Sequence, residues 1–171
     1  MSGVSAQSMG ALRSGWSATV DDCAISGGWT SDGEEFIVAD AAGGVTVFDG
    51  KSGDLKWAEK QAHNSGALAT SIHPSGKKFV TTGQDGQLII WKAAEPEKEK
   101  VIDIGKGWVE NVCWSPDGNF IATSLSKTVY VYSATGEEVW RTSDHQSTVK
   151  YDDLVERRRI SYRLLRSSAI S

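Results

Sequence analysis

The chain has 171 residues, 39% of them hydrophobic and 23% charged, which is enough for one domain with a buried core and has no apolar run long enough to span a membrane. His63, His73, His145, Cys23 and Cys113 stand at no metal-ligand or CxxC spacing, so we expect no metal, no cofactor, and two buried free thiols in a reducing, cytoplasmic setting. The net charge of −4 divides into an acidic body and a basic end: residues 1–149 hold 12 Lys and Arg against 19 Asp and Glu, and residues 150–171 hold 6 against 3. An acidic body argues against a nucleic-acid groove.

Residues 1–14 (MSGVSAQSMGALRS) read as a flexible tail. Residues 15–61 then give a first unit of four short strands. Ile25 to Trp29 leads into a Ser31-Asp32-Gly33 turn. Glu35 to Asp40 and Val45 to Asp49 form a hairpin across Gly43-Gly44, and Leu55 to Glu59 follows. Residues 62–106 repeat the plan with Ala67 to Ile72, the turn His73-Pro74-Ser75-Gly76, a hairpin of Lys78 to Thr82 and Gln87 to Lys92 across Asp85-Gly86, and Val101 to Ile104. The charged loop Ala93 to Glu99 is expected in solvent. Residues 107–144 give Val109 to Trp114, the turn Ser115-Pro116-Asp117-Gly118, Phe120 to Ser124 paired with Thr128 to Tyr132, and Glu138 to Arg141.

The units keep register. Ser31, Pro74 and Pro116 fall 43 and 42 residues apart, and Phe48, Trp91 and Tyr132, each closing a third strand, fall 43 and 41 apart. Trp57 and Trp140 match in the fourth strands. A period of about 40–45 residues with four strands each predicts propeller blades. The reason is geometric. A four-stranded sheet of short strands cannot bury both faces alone, whereas stacking sheets face to face around an axis buries them. The expected fold is therefore all-β: an incomplete β-propeller of about three four-stranded antiparallel blades, with a short non-propeller C-terminal tail.

The second unit most closely resembles the WD-repeat propellers. It has His63 four residues before Ala67, the HPSG turn, Asp85 in the hairpin turn and Trp91 six residues later. The resemblance implies a structural hydrogen-bonded line through His63, Thr81 (or Thr82), Asp85 and Trp91 that stiffens the blade. The first unit has Ala42 near the Asp position and the third has Ser126, and neither has the His. The stretches Val129 to Trp140 and Val47 to Trp57 are also similar to quinoprotein-type blades, which keeps a fragment of such an enzyme as the alternative function.

The repeat ends abruptly. Residues 145–149 (HQSTV) match 63–67 and open a fourth unit, whose turn should come at Glu156, but residues 150–171 have no Gly, no Pro and no strand alternation. We expect the chain to be a truncated part of a longer propeller, or a non-functional truncation product, with apolar surface exposed on its first and last blades and self-association through them. The basic tail reads as disorder or a short helix. Ser161, after Arg157-Arg158-Arg159, is a candidate phosphorylation site, and the same basic run could meet an acidic membrane or nucleic acid or have no selected role.

A Thr-His-Asp set invites a catalytic reading, but Asp85 sits in a hairpin turn at blade spacing, so the structural reading is preferred and no catalytic residue is assigned. The acidic pairs Asp21-Asp22, Glu34-Glu35 and Glu137-Glu138 read as solvated surface. The stretch Asp49 to Asp54 lacks the carboxylates and closing Glu of a calcium loop. The expected function is a non-catalytic protein-interaction scaffold, binding partner proteins rather than nucleic acid or membrane. Its contact rim is expected to be built from Gly15 to Ser17, Asn64 to Gly66 and Gly105 to Trp108.

Overall fold

The computed structural model describes residues 15–143. The expected N-terminal tail, the start of a fourth unit, the basic tail and Ser161 lie outside the described residues. Every regular element among those described is a strand. The first sheet runs β1 (Ala24–Trp29), β2 (Glu35–Asp40), β3 (Val45–Asp49), β4 (Leu55–Glu59), in that spatial order. The second is β5 (Ala67–Ile72), β6 (Lys78–Gly83), β7 (Gln87–Lys92), β8 (Lys98–Asp103), and the third β9 (Asn111–Trp114), β10 (Phe120–Leu125), β11 (Thr128–Ser133), β12 (Glu138–Thr142). All neighbouring strands are antiparallel.

The repetition extends to the irregularities. The register slips at Val47/Phe48, Ile90/Trp91 and Val131/Tyr132, at the same place in each third-to-fourth strand pair. A bulge at one fixed place bends each outer strand at the same position in its blade. The first turns repeat as well. Thr30 and Ser115 each donate a hydroxyl to an Asp carboxylate two residues on, at 2.6 Å, and accept the amide five residues on. His73 replaces that hydroxyl with Nδ1, facing Ser75 Oγ at 2.8 Å. Gly33, Gly76 and Gly118 close these turns at φ of 72–73°, a region that favours glycine.

The sheets stack. β1 lies beside β5 and β5 beside β9, tied by the Thr70 amide to Ser26 Oγ (3.1 Å) and the Trp114 amide to Ser71 Oγ (3.0 Å). Strand alternation sends Phe79, Ile89 and Trp91 of the second blade into one core with Ile37, Val45, Val47 and Trp57 of the first. It sends Val80, Leu88 and Ile90 into a second core with Val112, Trp114, Ile121 and Tyr132 of the third. The middle hairpin is apolar on both faces because both are covered.

Four expectations are corrected. Cys23 is exposed, and only Cys113 is buried. Lys98 and Glu99 belong to β8 rather than to a loop: β8 is a charged edge strand, so its apolar alternation is faint. Ala93 is buried, because its carbonyl accepts the Trp57 indole N–H at 2.9 Å. β9 starts at Asn111 and not at Val109, which is buried and donates its amide to Gly83 of the second blade at 3.1 Å.

Candidate functional site

The hairpin turn between β6 and β7 places Asp85. Gly86 follows it at φ +76°, where a side chain would also run into the Gly105 carbonyl. The Asp85 carboxylate accepts the Asn64 amide (3.0 Å) and the Gln87 amide (3.2 Å), and its two oxygens lie 3.0 and 3.2 Å from His63 Nδ1. His63 is anchored from the other side by its own amide, which donates to Gly43 of the first blade at 3.0 Å. Its ring lies against Gly83, where a Cβ would come within 2.6 Å of Nδ1. His63 Nε2 is 2.9 Å from Thr81 Oγ1, and the Trp91 indole donates to that same oxygen at 2.9 Å. Thr81 therefore faces His63. Thr82 Oγ1 is buried with no hydrogen-bond partner.

Donor arithmetic sets the direction of this chain. Thr81 has one proton and already accepts from Trp91, so it donates to His63 Nε2, and His63 Nδ1–H donates to Asp85. A neutral imidazole satisfies every group. The shifts agree: burial pulls the His63 pKa below its ordinary 6.5, outweighing the nearby Asp85 charge and hydrogen bond. Burial pushes the Asp85 carboxyl up, but the Asn64 amide, His63 and the Gln87 amide outweigh it and hold the pKa below 3.8.

Both shifts act in the same direction on stability. Above pH 6.5 His63 is neutral folded or unfolded and adds no pH dependence. Below it the unfolded chain takes up the proton first, and the fold weakens. Asp85 contributes stability above pH 3.8 that is lost as pH falls through its lower folded value. Urea midpoints should thus stay level from pH 8 to 7 and decline below about 6.5. In the His63→Gln variant the part of this decline between pH 6.5 and 5 should shrink. An unchanged slope there would remove His63 as the cause.

The set has no reach to a substrate. Thr81 and His63 are buried, and the Thr81 hydroxyl is committed at both ends. The first blade uses a different device. Asp40, also buried, accepts the Ala42 and Gly44 amides at 3.0 and 2.8 Å. Our sequence reading passed over Asp40, although Asp before Ala-Ala-Gly-Gly is an Asx-turn signal. In the third blade Thr123 donates to the Asn111 carbonyl at 2.6 Å, and Ser126 takes the turn at φ 55°. His73 was also missed: its Nε2 reaches the Gly118 carbonyl (3.1 Å) and its ring meets Trp114 edge-on at 4.7 Å, joining the second and third blades.

Among the acidic pairs, Glu35 is corrected: it is buried and paired with Lys56 at 2.6 Å. Glu34 pairs with Lys51, and Glu138 with Arg141. A groove of about 460 Å³ lined by Asp32, Lys77, Lys92 and Glu99 holds mostly paired charges, Lys78 with Glu99 and Lys92 with Glu95 and Glu97. No cluster of three or more His, Cys, Asp or Glu suited to a metal ion occurs among the described residues. No described helix is long and apolar enough to cross a membrane.

The rim is partly as expected. The loop after β4 lies against the first hairpin turn, where Gly43 meets His63 and Ser65. The loop after β8 lies against the second hairpin turn and Leu125 of the third blade. Asn64, Ser65, Lys106 and Trp108 are exposed there, Trp108 at 58%. Trp16 is not part of this rim. Its indole donates to the Gly50 carbonyl at 3.0 Å, in the turn after β3 at the opposite end of the blade.

The WD domain, G-beta repeat family matches residues 58–92 and 99–133. Each match starts near an outer strand (β4, β8) and ends at the third strand of the next sheet. The chain is 33% identical over 73 residues to a p21-activated protein kinase-interacting protein 1-like protein of Danio rerio, covering 43% of this chain and 20% of that protein. It is 28% identical over 90 residues to a guanine nucleotide-binding protein subunit beta of Arabidopsis thaliana, covering 52% and 22%. Among solved structures, the RRP9 WD40 repeats superpose at a TM-score of 0.73 with 17% identity, covering 78% of this chain and 42% of that one. The chain thus spans about a fifth of the length of these curated relatives. With repeat matches over the second and third hairpins and the same fold in solved WD40 repeats, the chain carries WD repeats at residues 58–92 and 99–133, and its described residues fold as three successive four-stranded blades of a β-propeller.

Proposed function

We propose that the chain is a non-catalytic protein-interaction scaffold whose contact surface is the rim formed by the 64–66 and 105–108 loops. The observation that carries this reading is Trp108, 58% exposed on a rim whose backbone is fixed from beneath. Asp85 holds Asn64, Gly83 holds Val109, and Gly86 holds Ile104 at 2.9 Å. Loops held in place in this way lose little entropy on binding, and an exposed Trp is the side chain most used as an anchor in protein contacts. The relatives support it by name, since one is described as kinase-interacting and another as a subunit of a G protein.

Affinity capture with the full chain and with Trp108→Ala tests the rim. Trp108 is exposed, so its removal should leave the melting midpoint within about 2 °C for a change under ~0.5 kcal/mol. Bound proteins should fall at least tenfold. Equal capture by Trp108→Ala and by Asn64→Ala would show that the contact surface lies elsewhere.

A further inference from the structure

Trp16 fills on the first blade the place that Trp57 fills on the second. Trp57 from β4 packs on Phe79 and Trp91 at 6.1 and 6.0 Å between ring centroids, and its indole donates to the Ala93 carbonyl at 2.9 Å. One repeat earlier, Phe36, Phe48 and Gly50 stand where Phe79, Trp91 and Ala93 stand. Trp16 packs on Phe36 and Phe48 at 5.9 and 6.0 Å, and its indole donates to the Gly50 carbonyl at 3.0 Å. The ring lies so close to Gly53 that a Cβ there would come within 2.5 Å of it.

The two insertions differ in how they are held and in what they cover. Trp57 belongs to β4, whose ladder pairs it with Val47. Residues 15–20 lie in no strand, and among the described residues no backbone hydrogen bond holds them. Their ties are the Trp16 side chain and, just beyond, the exposed Asp21–Lys60 ion pair at 2.9 Å. A segment held in this way opens locally without unfolding the sheet beneath it. At the joint of the first two blades Ile72 packs against the shared core. Trp29, at the same place one repeat earlier, meets the Trp16 and Phe36 rings yet stays 49% exposed. Leu55, paired with Phe48 in the ladder, is 62% exposed. A cavity of about 180 Å³ lies where Thr19 and Val20 of the segment meet Thr46, Phe48 and Ala58 of the sheet. The resident segment supplies the inserting ring but leaves part of the face uncovered.

We propose that the outer face of the first blade is a docking site for an extended, Trp-bearing segment of a partner protein, and that Trp16 is the resident plug that keeps it closed. The joint between the first two blades gives the partner its chemistry. Two aromatic rings and one carbonyl in this arrangement accept an indole from an extended strand, its N–H aimed at the carbonyl. The partner's Trp takes the place of Trp16, and its flanking apolar side chains run over Trp29 and Leu55. Tethering gives the plug an effective concentration on the order of mM, so only a segment that buries more surface displaces it. The site lies apart from the rim of the 64–66 and 105–108 loops and does not depend on it.

Fluorescence anisotropy of a labelled peptide with the sequence of residues 53–61 (GDLKWAEKQ), the chain's own inserting strand, tests this against the full chain and its variants. Trp16→Ser should bind the peptide at least tenfold more tightly than the unaltered chain. Trp16→Phe keeps a ring but loses the hydrogen bond to Gly50, so it should gain about two- to tenfold, and it serves if Trp16→Ser fails to fold. The same peptide carrying Trp57→Ser should bind neither variant. In nitrogen-15 NMR spectra of the variant, the peptide should shift the Gly50 and Gly53 amides and leave the third blade unchanged. The proposal is overturned if no folded variant gains affinity over the unaltered chain, or if the Trp57→Ser peptide binds equally well, which would mark sticking through the uncovered rings. Shifts confined to the other blades would overturn it too.

Discussion

Trp91→Ala is expected to destabilise the chain by about 3–5 kcal/mol, the range for deleting a fully buried Trp. Three losses coincide. Trp91 stacks on Phe79 (5.9 Å, 7° between planes), meets Trp57 at 6.0 Å, and donates to Thr81. The cavity would open between the first two blades, in the core that holds Ile37, Val45 and Val47, where β-sheets fixed by their own ladders cannot collapse to fill it. Lys98 Nζ, 5.3 Å from the ring centroid, loses its cation–π partner as well. Urea unfolding followed by circular dichroism measures the effect. A loss below about 1 kcal/mol would mean that the two blades do not share a core in solution.

Asp85→Ala should cost about 1–3 kcal/mol, the penalty for polar groups left unsatisfied in a buried site. The Asp85 side chain is only 6% exposed, and it collects the His63 ring, the Asn64 amide and the Gln87 amide. We propose that this carboxylate holds the loop after β4 to the hairpin turn between β6 and β7, and so makes the second blade rigid. Hydrogen exchange separates this role from a general loss of stability. Protection should fall first at Asn64 and Gln87, while the first-blade hairpin keeps its amides. An unchanged melting temperature, or loss of protection spread evenly over all blades, would remove the assignment.

Much of the architecture is legible from residue order because its causes are local. Lys78 to Trp91 forms two apolar strands about a turn closed by Gly86, and the strand pattern recurs 43 residues earlier across Gly43-Gly44 and about 42 later, where Ser126 takes the turn instead. Period-2 alternation and turn chemistry act over a few residues, so they survive without knowledge of neighbours. The approach of His63, in the loop after β4, to Asp85, in the turn between β6 and β7, follows from no strand register and was expected only from the resemblance of the second unit to WD repeats. Other features are not legible from the order of residues. Glu35 in an acidic pair reads as surface, yet Lys56 from β4 folds over it. Cys23 reads as a buried thiol, yet it precedes β1 on the exposed margin.

Trp16 shows where that boundary lies. Residue order alone determined that this chain is a series of four-stranded units with a matching Trp in two fourth strands, because strand alternation, turn glycines and repeat spacing are properties of short segments. Only the tertiary structure decided what covers the first blade. Trp16 belongs to no strand, and nothing in Gly15-Trp16-Ser17 announces a partner. Its place is set by a carbonyl at Gly50, two aromatic rings at Phe36 and Phe48, and the missing side chain of Gly53, which the folded blade brings to one spot. A docking face is a property of a finished sheet, so its occupant emerges only when the sheet is built.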